Sequence, residues 1–186
     1  RSHSHPALGI AAPKPNNQRV VTVRTAANVA IQIALLALIG AAFFLRTPQV
    51  SGLSMEPRIH PGEYVLINTF AYRVGPIARG NIVAFRHDAA GQSQHYIKRV
   101  IGTPGDRVMI DRGTVRVNGT PLVEDYVAFR DLRSHPEVTV PAGALYVLGD
   151  NRANSDDSRD WGFVPQSDVI GRAVLGIWPP RPLGAR

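Results

Sequence analysis

Apolar residues follow two regimes along this chain. From Ala26 to Leu45 the sequence AANVAIQIALLALIGAAFFL runs for twenty residues without a charge. Coiled as a helix it would reach about 30 Å, the thickness of a bilayer's hydrocarbon core. The pattern predicts a transmembrane helix over 26–45. The run is longer than the apolar centre of a cleavable leader, and Arg46-Thr47-Pro48 follows it rather than a small-x-small processing site. Beyond Pro48 short β-branched runs alternate with Gly, Pro, Asn and Asp, the texture of a β-rich domain. Strands are predicted at Tyr64–Asn68, Asn81–Arg86, Tyr96–Ile101, Arg107–Ile110, Thr114–Val117, Leu145–Leu148 and Val169–Ile177. The Asp111-Arg-Gly113 link predicts a hairpin between the fourth and fifth, and Asn118-Gly119 a tight turn. Residues 119–143, with Pro121, Pro136 and Pro141, read as an irregular excursion. Ahead of the span, the Pro-, His-, Ser- and Asn-rich start reads as a disordered tail. The expected plan is therefore a tail over 1–25, a span over 26–45 and a β-rich domain over 46–186.

Charge adds an orientation. The chain carries 21 Lys+Arg against 14 Asp+Glu, a net +7. Arg1, Lys14, Arg19 and Arg24 precede the span with no acidic residue among them. A cationic tail before a span points to the anionic face of a membrane rather than to nucleic acid, and puts the N-terminus in the cytoplasm with the β-rich domain outside. The absence of cysteine excludes a disulfide framework, a thiol nucleophile and a thiolate metal site. The sequence opens on Arg1 rather than Met, as a chain does that begins inside a longer product.

Two polar segments carry candidate chemistry. Ser51-Gly-Leu-Ser-Met-Glu-Pro57 follows the span by six residues, and Ser54 within it is a candidate nucleophile. Its base must come from elsewhere in the fold, since no histidine stands at a useful spacing and no G-x-S-x-G elbow surrounds it. Lys98 is the best candidate. In Tyr96-Ile-Lys-Arg-Val-Ile101 a period of two sets Tyr96, Lys98 and Val100 on one face and Ile97, Arg99 and Ile101 on the other. Burial there would favour the neutral amine, which accepts a proton; on the strand alone a solvent-facing lysine is the plainer reading. The second segment is Gly149-Asp-Asn-Arg-Ala-Asn-Ser-Asp-Asp-Ser-Arg-Asp-Trp-Gly162. Its spacing does not meet the calcium-loop pattern, and the histidines at 3, 5, 60, 87, 95 and 135 lack zinc spacings. Asp157 and Arg159 read as an ion pair that fixes the loop, and Ser155 offers a hydroxyl that could orient an amine. Asn118-Gly-Thr120 matches a glycosylation acceptor, a short pattern that is commonly fortuitous.

Taken in order, Ser51–Pro57, Gly80-Asn-Ile-Val-Ala-Phe85, Tyr96-Ile-Lys-Arg-Val-Ile-Gly-Thr-Pro-Gly-Asp106 and Gly149–Arg159, behind one N-terminal span, resemble the boxes of bacterial type I signal peptidases. The resemblance covers roughly residues 26–178. It implies a mainly β, antiparallel peptidase domain preceded by one transmembrane helix. It implies Ser54 as nucleophile and Lys98 as general base, with Ser155 hydrogen-bonded to the lysine and Asp157 and Arg159 holding the walls. Val50, Gly52 and Ile97 would line substrate pockets, although core packing is the plainer reading of Val50 and Ile97. No metal or cofactor is implied. The implied partners are the lipid bilayer and exported preproteins, cut after a small-x-small sequence bound as an extended strand, at a cell membrane with the catalytic domain outside. Gly52 stands where some members carry a serine that helps to hold the oxyanion, so the second donor is open. Arg58, Ala153 and Asn81 also depart from the usual pattern, which leaves room for a peptidase dedicated to a conjugation or pilus substrate. A self-cleaving repressor-type Ser-Lys peptidase and a non-enzymatic anchored binding module are the rival classes.

Overall fold

Between Pro15 and Gly40 no residue breaks a helix, and helix α1 runs through that interval as Asn17–Phe43 in the computed structural model. The structure describes residues 17–89, 91–177 and 180–182. The chain divides into two units between Ala41 and Ala42. In the first, α1 starts inside the stretch expected to be tail; the remainder of that tail, residues 1–16, lies outside the described residues. Val29, Ile31, Ile33, Leu35, Leu36, Leu38 and Ile39 of α1 are exposed, and with the exposed Ala30, Ala34 and Ala37 between them they point, at 100° per residue, in every direction around the axis. Side chains are described there only from Ala26 onward, and among the described residues no helix is long and apolar enough to cross a membrane.

The helix also ends before the expected boundary. Leu45–Arg46 forms β1, paired antiparallel with Asn68 and Ile67, while the Thr69 amide donates to the Phe44 carbonyl at 2.9 Å. These pairings take backbone groups that a helix continuing to Leu45 would need.

The second unit is mainly antiparallel β-sheet. After β1 come β2 (Val65–Asn68), the short helix α2 (Ala71–Val74), β3 (Ile82–Ala89) and β4 (Gln92–Gly102). They are followed by β5 (Arg107–Asp111), β6 (Thr114–Val117), β7 (Thr120–Pro121), β8 (His135–Thr139) and β9 (Ala144–Leu148). Helix α3 (Ser158–Trp161), β10 (Val164–Pro165), a 3-10 turn, β11 (Val169–Ile177) and β12 (Pro180–Pro182) complete the order. One sheet runs β1-β2-β11-β3-β4-β9-β10 with β12 on β11; the other runs β7-β6-β5-β8. All seven predicted strands lie in these elements, within a few residues at their ends. The Arg112-Gly113 link has φ of 43° and 78°, and Asn118-Gly119 has 53° and 81°. Two successive residues at positive φ match the right-handed twist of the flanking strands, which is why short Gly- and Asn-containing links serve there.

The excursion at 119–143 is more regular than expected. It holds β7 and β8, and β8 pairs with β5 through Arg107↔Thr139 and Val108↔Val138. Pro136 is tolerated because β8 is the last strand of its sheet.

Three apolar clusters stabilise the unit. Ile101, Val108, Val115, Val140, Tyr146 and Leu148 join the two sheets. Met55, Ile59, Val65, Ile67, Ile82 and Ala84 fasten the Ser54 turn to the larger sheet. Phe85, Val100, Leu145, Val147 and Val164 form the third, with Tyr96 and Trp161 packed against them. The arrangement at β4 bears most on function. It pairs with β3 from Gln92 to Arg99 but with β9 only from Arg99 onward, so Gln92–Lys98 has a free edge among the described residues.

Candidate active site

Ser54 sits on a turn rather than a regular element. Met55 beside it is buried, its carbonyl accepts the Ile59 amide at 2.9 Å, and the Glu56 amide donates to Leu53 at 3.1 Å. The loop after β9 clasps the same turn: the Asn151 amide donates to the Ser54 carbonyl at 2.9 Å and Asn151 Nδ2 to the Leu53 carbonyl at 3.3 Å. Gly149 makes that approach possible. A Cβ there would come within 2.5 Å of the Ser54 carbonyl oxygen and would also overlap the Ser155 side chain. The glycine is therefore required by space, because only a bare Cα fits between these two serines.

Lys98 reaches the site from β4 and is only 2% exposed. Its Nζ donates to Ser155 Oγ at 3.0 Å and lies 5.9 Å from the Tyr96 ring centroid. Burial pulls its pKa down from 10.5 to about 8, against the opposing attraction of Asp157, Asp156 and Asp150. Ser155 Oγ donates in turn to Asp157 Oδ2 at 2.7 Å. Asp157, fully buried, also accepts the Gly149 amide at 2.9 Å, caps α3 and pairs with Arg159 through Nε at 2.8 Å and Nη2 at 2.9 Å. Burial alone would raise the Asp157 pKa, but the Arg159 guanidinium and these donors hold it below the usual carboxylate range.

Ser54, Lys98, Ser155, Val50, Gly52 and Ile97 all line one open cleft of about 770 Å³. Asp157 and Arg159 stand behind Ser155, outside that lining. Among the described residues the hydrogen bond of the Lys98 amine goes to Ser155, and none joins it to the Ser54 hydroxyl. The cleft's floor is apolar, with Ile67, Ala84 and Ile170 beside Val50 and Ile97. A Cβ at Gly52 would meet nothing within 4 Å.

Residues given no role in the sequence reading complete the frame. Arg99, next to Lys98, is buried against Asp150 at 2.7 and 2.6 Å, donates to the Gly80 carbonyl at 3.0 Å and lies 3.9 Å from the Tyr126 ring centroid. Arg152 donates to the Gly149 carbonyl at 2.9 Å and to Glu124 Oε2 at 2.9 Å. Arg159 reaches Asp131 at 2.8 Å. Arginines at 99 and 152 and acids at 150 were visible as polar residues in the loop and strand. Glu124 and Asp131 carried no signal, because each meets its arginine across 28 positions.

The cleft thus holds Ser54 and a buried amine wired through Ser155 to a carboxylate, and comparison with known proteins identifies the arrangement's kin. A family model described as signal peptidase, peptidase S26, matches residues 23–178. Signal peptidase I of Leptolyngbya laminosa is 39% identical over 157 residues, covering 81% of this chain and 77% of that protein. Probable signal peptidase I-2 of Synechocystis is 37% identical over 153 residues, 80% and 70% of the two chains. Signal peptidase IB of Staphylococcus aureus is 33% identical over 171 residues, 82% and 87%. A crystal structure of a signal peptidase I from Enterococcus faecalis, 34% identical, aligns with a TM-score of 0.48 over 54% of this chain and 99% of that one. With the family model spanning most of the chain and relatives above 30% identity over four fifths of it, this chain belongs to the signal peptidase family, peptidase S26.

Proposed function

We propose that this protein is a membrane-anchored serine endopeptidase that removes signal peptides from exported preproteins, with Ser54 as nucleophile and neutral Lys98 as general base. The observation that carries the reading is Lys98: a lysine 2% exposed, in the wall of the same cleft as Ser54, with its pKa drawn down to about 8. Near neutral pH an appreciable fraction of such an amine is unprotonated and can accept a proton. Lys98 Nζ takes the proton of Ser54 Oγ as that oxygen attacks the scissile carbonyl. The same proton then goes to the departing amine, leaving an acyl-enzyme that water hydrolyses. The backbone N–H of Ser54 is the first oxyanion donor. Ser155 holds the amine, and Asp157 with Arg159 holds Ser155.

The free edge of β4 at Gln92–Lys98 suits a substrate bound as an added strand, its side chains alternating towards the apolar floor at Val50, Ile97 and Ala84. Cleavage after small-x-small would set small side chains against that floor. The anchor is α1, whose aliphatic side chains are exposed all round from Val29 to Ile39 and have no use in water. Lipid would satisfy them. The test is cleavage of a preprotein in detergent by the Ser54→Ala and Lys98→Ala variants. Each is expected to lose at least 1,000-fold in turnover, on the order of the loss from removing a nucleophile or its base; parent-like turnover by either sinks the proposal.

A further inference from the structure

Arg159 has more acceptors than its pair with Asp157 requires. Besides Asp157, its Nη1 donates to Asp131 Oδ2 at 2.8 Å and to the Arg152 carbonyl at 2.9 Å, and its Nη2 to the Ser155 carbonyl at 3.2 Å. Asp131 belongs to the excursion, outside every motif of the cleft. From it an unbroken series of contacts leads to the amine: Asp131 to Arg159 at 2.8 Å, Arg159 to Asp157 at 2.8 Å, Asp157 to Ser155 at 2.7 Å, Ser155 to Lys98 at 3.0 Å.

Asp131 is held firmly at its end of the series. Its carbonyl oxygen lies against Gly113, where a Cβ would come within 2.5 Å, and its Oδ1 accepts the Arg133 amide at 3.0 Å. The adjoining Ser134 Oγ accepts the Arg112 amide at 2.9 Å, so this part of the excursion is seated on the β5–β6 turn. Arg133 Nε shares Asp131 Oδ2 with Arg159, both at 2.8 Å.

We propose that Asp131 is a positioning residue for the Lys98 amine, acting through Arg159, Asp157 and Ser155. The inference rests on Lys98 being the general base. Arg159 is divided between two carboxylates, and Asp157 between Arg159 and Ser155. Neutralising Asp131 leaves Asp157 as the one carboxylate bonded to Arg159, which draws that carboxylate away from Ser155 and leaves more positive charge near the amine. Both effects disfavour the ammonium. The groups that bear on Lys98 are Asp157, Asp156 and Asp150, which favour its charge, and Arg159, which opposes it. Val83, paired with it on β3, and the Tyr96 ring bring no charge.

The experiment is the pH profile of kcat and KM for preprotein cleavage by the full chain and its Asp131→Asn, Arg133→Gln and Asp125→Asn variants. Asp131→Asn should move the rising limb to lower pH by about half a unit, and lower the plateau kcat about threefold to tenfold with KM within about twofold. Arg133→Gln frees Asp131 for Arg159 and should move the limb the other way, by less, since Arg133 is 63% exposed. Asp125→Asn, an exposed carboxylate of the same excursion, should superimpose on the parent. A limb that stays in place in Asp131→Asn, or a loss confined to KM, overturns the proposal. Should Asp131→Asn not fold, Arg133→Gln decides alone: a limb that is unmoved or moves downward overturns it. Activity retained by Lys98→Ala would instead defeat the base assignment itself.

Discussion

At the scale of the residue, a general base at Lys98 would set function against stability. Its folded pKa of about 8 lies below the 10.5 of an exposed lysine, so between those values the unfolded chain binds more protons than the folded one. Stability therefore rises with pH across that window and is flat below it, where both states are protonated. At pH 7 the folded protein carries an ammonium in a site that disfavours it, at a cost of about 3 kcal/mol from the shift. Lys98→Met keeps the stem's packing and removes the charge, so it should be inactive yet at least as stable as the parent at pH 7, with the gain shrinking as pH rises from about 8 towards 10.5. Urea denaturation of both chains at pH 7 and 10 measures this. A Met variant destabilised by more than about 1 kcal/mol would mean that the site welcomes the ammonium, contrary to its burial. Activity should rise about tenfold from pH 7 to pH 9 as the neutral fraction grows. The titration can also be read directly, since Lys14 is the only other lysine in the chain. The strand period of two gave Lys98 apolar neighbours but left a solvent-facing lysine the plainer reading; the order of the four polar segments, not the strand, pointed to the amine. The space at Gly149 was not legible, since it arises from two serines that approach from opposite sides of that residue.

At the scale of the element, long alternating strands were legible and short ones were not. The β5 and β6 runs show a period of two because one face packs on the core. β1, β7, β10 and β12 span two or three residues each, too few to display a period, and exist because neighbouring strands offer them an edge. β8 was hidden by Pro136 and by an exposed outer face. The elements also depend on braces between distant turns, of which Asp106 is the clearest. Its carboxylate accepts the Thr103 amide at 2.8 Å and hydroxyl at 2.9 Å, Arg79 Nη2 at 2.9 Å and Asn118 Nδ2 at 2.8 Å. It thereby ties the turns after β4 and β6 to the loop before β3. Burial pushes its pKa up, but these donors outweigh it and bring the value from 3.8 down to about 2. A depressed carboxylate stabilises above its unfolded pKa, and that contribution is lost as pH falls through the folded one. Asp106→Asn should accordingly cost about 1–3 kcal/mol at pH 6 and much less at pH 2, where about half of the parent's carboxylate is protonated. Denaturation midpoints of both chains at the two pH values check this, and an equal deficit at both would mean the loss is one of packing.

At the scale of the whole molecule, the division between Ala41 and Ala42 separates a helix from a unit that holds all three apolar clusters. None of the residues named in the cleft lies before Arg46. A chain beginning at Ala42 keeps β1 and its pairing with β2, so it should fold and melt within a few degrees of the full chain. Chemistry on a short soluble peptide should then be unaltered in kcat, because no reacting group has been removed. Cleavage of a preprotein inserted in vesicles should respond differently. If α1 is the anchor, it confines enzyme and signal helix to one bilayer, which raises their effective concentration with no new contact between them. Losing that confinement should lower cleavage in vesicles by about 100-fold at equal enzyme, the low end of the gain expected from tethering. In detergent, where micelles no longer hold the two together, the deficit should shrink towards parity. The contrast isolates the anchor: full activity of the shortened chain in vesicles would show that α1 contributes nothing to substrate capture. Equal losses in vesicles, in detergent and on the short peptide would mean that the deletion has damaged the catalytic unit itself.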